Sequence, residues 1–98
     1  AQDIPRAKQL LKQALKIDKR NVLACTALAE LYLERYDNEK AKELFETAIS
    51  VNPDYPRALA GLGGLLIKQD QHSATSFLMK ALQLDPLNKK AKYQLEFE

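Results

Sequence analysis

The sequence has too few of the residues that chemistry needs. It holds one cysteine, Cys25, and one histidine, His72, in 98 residues. One cysteine excludes an internal disulfide and leaves the compartment open. No cluster of His, Cys or acidic residues has metal-ligand spacing. No nucleophile lies beside His72, which falls in an expected turn and reads as a solvated surface residue. Cys25 lies on a packing stripe and reads as a small buried hydrophobe. The carboxylates Glu30, Glu34, Glu39, Glu43 and Glu46 sit beside lysines at the spacing of a solvated helix face. Glycine is scarce, and Gly61-Leu62-Gly63-Gly64 has no strand before it, so it is not a dinucleotide-binding turn. No apolar run approaches the ~20 residues of a membrane-spanning helix, and the first residues lack the basic and apolar regions of a signal peptide. Charge of one sign is also missing. The 15 basic and 13 acidic residues are interspersed, which excludes a nucleic-acid footprint. The densest basic stretch, Lys89-Lys90-Ala91-Lys92, is short and reads as a solvated helix start. Enzyme chemistry, cofactors and metals are therefore not expected.

What is present is a period. Ala7, Ala41 and Ala74 are separated by 34 and 33 residues, and the same offsets join Leu11, Phe45 and Leu78. They also join Ala14, Ala48 and Ala81, then Leu15, Ile49 and Leu82, then Ile17, Val51 and Leu84. Positions 7, 11, 14 and 15 recur at helical spacing, so each segment is an amphipathic helix. Asn52-Pro53-Asp54 and Asp85-Pro86-Leu87-Asn88 close two of them, because proline cannot continue a helix and biases its predecessor away from helical geometry. A second set lies between: Cys25, Leu28, Ala29 and Tyr32 share one stripe, and Leu59, Leu62, Gly63 and Leu66 repeat it. The expected layout is six helices over 4–17, 22–35, 38–51, 56–69, 71–84 and 88–97. Short connections make sequence neighbours antiparallel.

The residues Leu28, Ala29, Tyr32, Ala41, Phe45, Ala48 and Pro53, in a unit of 34 with two helices, resemble the tetratricopeptide repeat. Residues 22–55 match best. Residues 56–88 match through Leu62, Gly63, Ala74, Leu78, Ala81 and Pro86, one residue short near 69–72, where a tightened turn is expected. Residues 1–21 match the second helix of a repeat, with Lys19 where Pro is usual. Residues 89–98 match the start of a first helix, whose alternating charges suit a cap. Two departures stand out: Cys25 replaces a bulky aromatic, and Tyr36 replaces the glycine usual between the two helices. The resemblance implies an all-α fold, a right-handed α-solenoid of antiparallel helix pairs. The apolar face of the first helix, with Ile4, Ala7, Leu11 and Ala14, is expected to lack a cover, as in an excerpt of a longer repeat protein.

The resemblance also implies a function: first helices of successive repeats line a concave groove that holds another protein. The positions so placed are Leu23, Thr26, Ala27, Glu30, Leu33 and Glu34, then Arg57, Ala60, Gly61, Gly64 and Ile67, then Lys90, Tyr93, Gln94 and Phe97. Ala60, Gly61 and Gly64 would floor the groove; Leu33, Ile67, Tyr93 and Phe97 would wall it, suiting an extended peptide or an amphipathic helix. Arg57, Lys90 and Gln94 are placed to receive an acidic or carboxylate group. Some members of the family clamp a C-terminal carboxylate with Lys and Asn. Here Thr26, Glu30, Gly61 and Gly64 occupy those places, which disfavours that use. The competing expectations are that further repeats fill the groove, that the first helix pairs with another copy, or that the segment is a non-catalytic part of a larger enzyme.

Overall fold

The computed structural model describes residues 4–89, 91, 92 and 95. Five α-helices follow in order: α1 (Ile4–Ile17), α2 (Val22–Glu34), α3 (Asn38–Val51), α4 (Pro56–Leu66) and α5 (Gln71–Leu84). Residues 89, 91, 92 and 95 are helical too. No strand occurs among the described residues, and no helix there is long and apolar enough to cross a membrane.

Local chemistry explains where the helices start. Asn21 accepts a hydrogen bond from the Ala24 amide at 3.0 Å, Asp37 from Lys40 at 3.5 Å, Asp70 from Ser73 at 3.2 Å and Asn88 from Ala91 at 3.0 Å. Each satisfies one of the amides that a helix start leaves unpaired. Helix α4 has no side-chain cap; Pro56 opens it, where a missing N–H costs nothing.

The turns that close α1, α3 and α5 are one device used three times. The amides of Arg20, Asp54 and Leu87 donate to the side-chain oxygens of Asp18, Asn52 and Asp85 at 2.9, 3.1 and 3.1 Å. These Asx turns follow the repeat offsets. Lys19, standing where proline is usual, therefore leaves the turn intact.

The connection after α2 explains the odd residue Tyr36. The Asp37 amide donates to the Tyr32 carbonyl at 2.9 Å and the Tyr36 amide to the Leu33 carbonyl at 3.0 Å. This is a Schellman closure, which requires a left-handed residue, and Tyr36 adopts φ 61°. The connection after α4 is not tightened as expected. It spans four residues, 67–70, against three, 35–37, after α2, while α4 is two residues shorter than α2, at 11 against 13, so the net loss of one falls in the helix. There the Asp70 and Gln69 amides both donate to the Leu66 carbonyl. His72 accordingly lies in the first turn of α5, exposed.

Helix α2 packs most heavily on α3, and α4 on α5; α1 meets α2, and α3 meets α4. The main core gathers Cys25, Leu28, Ala29, Tyr32, Ala41, Phe45, Ala48, Ala58 and Leu62. A second cluster joins Leu59, Ala60, Leu78, Ala81 and Ala91. Gly63 permits the close crossing of α4 and α5, since a Cβ there would lie 2.7 Å from Leu78 Cγ. The equivalence of the repeats breaks at α1. Ala41, Phe45 and Ala48 are sealed, but Ala7, Leu11 and Ala14 are only half-buried. Helix α3 is covered from both α2 and α4, whereas α1 meets α2 alone among the described helices. Leu10 and Ile17 are exposed on α1.

Candidate binding groove

Helices α2 and α4 are equivalent in the repeat and touch each other. The expected groove residues divide between surface and interior. Leu23 is exposed on the second residue of α2, and Glu34 is exposed at its last. Ala27, Glu30 and Leu33 are half-buried, and Leu33 leans on the main core. On α4 and just after it, Arg57 is exposed while Gly64 and Ile67 are half-buried, Ile67 against the second cluster. Lys90, Tyr93, Gln94 and Phe97 lie outside the described residues.

Three of the expected residues are interior. Thr26 and Ala60, one repeat apart, are 0 % and 1 % exposed. Gly61 is buried, and a Cβ built on it would run into the ring of Phe45. Gly61 is therefore not open floor: its missing side chain makes room for the largest sealed side chain of the core. Helical spacing placed these residues off the Leu28 stripe, but a helix wedged between two neighbours has more than one buried face.

The polar chemistry of the region is concentrated in one pair. Arg57 Nε donates to Glu30 Oε2 at 3.0 Å, and Arg57 Nη2 donates to Glu30 Oε1. This bidentate contact ties α4 to α2 across 27 residues. Its side chains retain 49 % and 35 % exposure, so solvent still reaches them. The hydrogen bond to Glu30 holds the Arg57 guanidinium further above its already high value, against a partial burial that acts the other way. Glu30 and Arg57 are thus partners of one another rather than separate surface charges. Sequence reasoning had both residues on one surface but no signal joining them, because the pairing depends on the lateral offset of two helices.

Thr26 brings an unexpected feature, a buried hydroxyl oxygen with no hydrogen-bond partner among the described residues. Tyr32 brings another, since Lys8 and Lys40 stand 4.6 and 5.5 Å from its ring centroid. These contacts clip α1 and α3 to α2 from outside the groove. Cys25 is buried, and burial pushes its thiol up; it acts as core. Among the described residues no group of His, Cys, Asp and Glu is placed to hold a metal ion. Depressions among the described residues lie on α5 by Ser76, Met79 and Gln83, by Asn38, Glu39, Lys42, Leu65 and Gln69, and on α1 by Pro5, Lys8, Gln9 and Lys12.

Comparison with known proteins places this architecture. A family model described as tetratricopeptide repeat matches residues 1–46 and 33–74. The chain is 29 % identical over 85 residues to a cell division cycle protein 27 homolog of Caenorhabditis elegans, covering 86 % of this chain and 11 % of that protein. It is 34 % identical over 87 residues to cellulose synthase operon protein C of Pseudomonas fluorescens (strain SBW25), covering 88 % of this chain and 7 % of that protein. It thus spans about a tenth or less of these relatives' length. Among solved structures it superposes on the first repeat domain of Spaghetti (RPAP3), bound to the HSP90 peptide SRMEEVD. The TM-score is 0.84 at 21 % identity, over 95 % of this chain and 75 % of that one.

Proposed function

Because this chain belongs to the tetratricopeptide repeat family, we propose that it is a protein-interaction module holding a segment of another protein against α2 and α4. The observation that carries the reading is the surface itself. Leu23 stands exposed beside half-buried Ala27 and Leu33 on α2, and Gly64 of α4 and Ile67 just after it are also only half covered. Apolar groups that the core leaves accessible, around one ion pair, suit a peptide or an amphipathic helix. The structural neighbour bound to a peptide supports a peptide as the class of partner. The test is selection of displayed random peptides on the protein. Leu23→Glu should weaken selected peptides at least tenfold, while Leu10→Glu, on α1, leaves them unchanged; equal binding by all three proteins rejects the site.

A second reading rests on a different observation, the half-exposed face of α1. Leu10 is 56 % and Ile17 88 % exposed, next to Ala7, Leu11 and Ala14. Such a face favours association with another copy. Sedimentation equilibrium should then show mass rising with concentration in the wild type and not in Leu10→Glu. A monomer at every concentration removes this reading.

A further inference from the structure

We infer that Glu30 is a built-in occupant of the Arg57 guanidinium, and that it makes the groove refuse acidic partner segments and select ones uncharged at that point. This rests on the groove reading above and names the chemistry of its partner.

Arginine at an exposed surface is a ready receptor for a carboxylate. Here that valence is already used, by two parallel hydrogen bonds from one guanidinium edge to both oxygens of one carboxylate. The occupant is carried by the adjacent helix, so its effective concentration exceeds that of any free ligand. A partner carboxylate must displace Glu30 or settle beside it. Displacement leaves Glu30 as an unpaired anion next to the incoming one, and Glu34, exposed one turn further on the same face of α2, adds a second. Both outcomes penalise an acidic segment. With its side chains still 49 % and 35 % exposed to solvent, the pair contributes little to folding, which leaves recognition as the larger consequence of its geometry.

The pair also offers something. A guanidinium has five N–H donors and this contact uses two; the carboxylate keeps lone pairs to spare. Donor and acceptor side by side match the C=O and N–H of a peptide backbone. The groove would then bind main chain at the Glu30–Arg57 pair and sort side chains by its apolar positions Leu23, Leu33 and Ile67.

The experiment selects displayed random heptapeptides with free C-termini on the wild type, Glu30→Gln and Glu30→Gln/Arg57→Gln, each checked for unchanged helicity and melting. The wild-type pool should be depleted of Asp and Glu. The Glu30→Gln pool should be enriched in them, with acidic members binding it at least tenfold more tightly than they bind the wild type, an advantage lost in 0.5 M salt and in the double variant. Equal acidic content in the wild-type and Glu30→Gln pools overturns the inference. If those pools are still weakened by Leu23→Glu, the groove reading survives that result. If no protein enriches any peptide, the groove reading falls and takes this inference with it.

Discussion

Tyr36 and Thr26 each carry a local cost that a single substitution removes. Tyr36 holds φ 61° at a helix end that needs a left-handed residue, with its ring 88 % exposed and so with little packing to offset the cost. Left-handed backbone is unfavourable by roughly 1–2 kcal/mol for a residue with a Cβ. Tyr36→Gly should therefore raise stability by about 1 kcal/mol, read from chemical denaturation midpoints. Thr26 buries an oxygen without a hydrogen bond. Valine has the same shape without the oxygen, so Thr26→Val should stabilise by about 1 kcal/mol in the same assay. At this scale the sequence was only partly informative. Tyr36 could be flagged as a departure from the repeat, since one position against a pattern is visible. The burial of Thr26 could not, because it depends on how the neighbouring helices close on α2, which the spacing within α2 does not encode.

The elements owe their limits to short-range hydrogen bonds, and these were legible. Asn52-Pro53 and Asp85-Pro86 marked helix ends, and the Asx turns at 18, 52 and 85 account for all three, with or without proline. Helix α5 shows how such a cap titrates. The Ser73 hydroxyl donates to Asp70 at 2.7 Å and the Ser73 amide at 3.2 Å, and together they hold the Asp70 carboxyl below its ordinary value. A group depressed on folding stabilises above its unfolded pKa and loses that contribution as pH falls through its folded value. The melting difference between wild type and Asp70→Ala should therefore be largest near neutrality and shrink as pH drops through the carboxylate range. Helix α4 was the element least well anticipated. The repeat pattern puts Gly61 on open floor, yet its missing Cβ makes room for the Phe45 ring. Gly61→Ala should cost about 1–3 kcal/mol by overpacking, measured by thermal or urea unfolding; a neutral result would mean that the position is open after all.

For the molecule as a whole, the period of 34 and 33 residues was sufficient to anticipate an all-α repeat, because each repeat meets its neighbours through the same faces. The fold of the described residues follows that expectation down to the sealed sets Ala41, Phe45, Ala48 and Ala74, Leu78, Ala81. The groove was less legible, since lining a groove depends on superhelical placement that no single helix encodes. The resemblance pointed to α2 and α4 as the helices of such a surface, but helical spacing could not separate Leu23, which is exposed, from Thr26 three residues on, which is not.

The central claim is that a protein segment lies against α2 and α4. The most direct measurement is the map of amide and methyl chemical-shift changes when a selected peptide is titrated into the labelled chain. The account predicts the largest changes at Leu23, Ala27, Glu30, Leu33, Arg57 and Ile67, with Leu10, Ile17, Met79 and Leu87 unmoved. Changes confined to the outer side of α5 around Met79 and Gln83, or to the exposed face of α1, would contradict it.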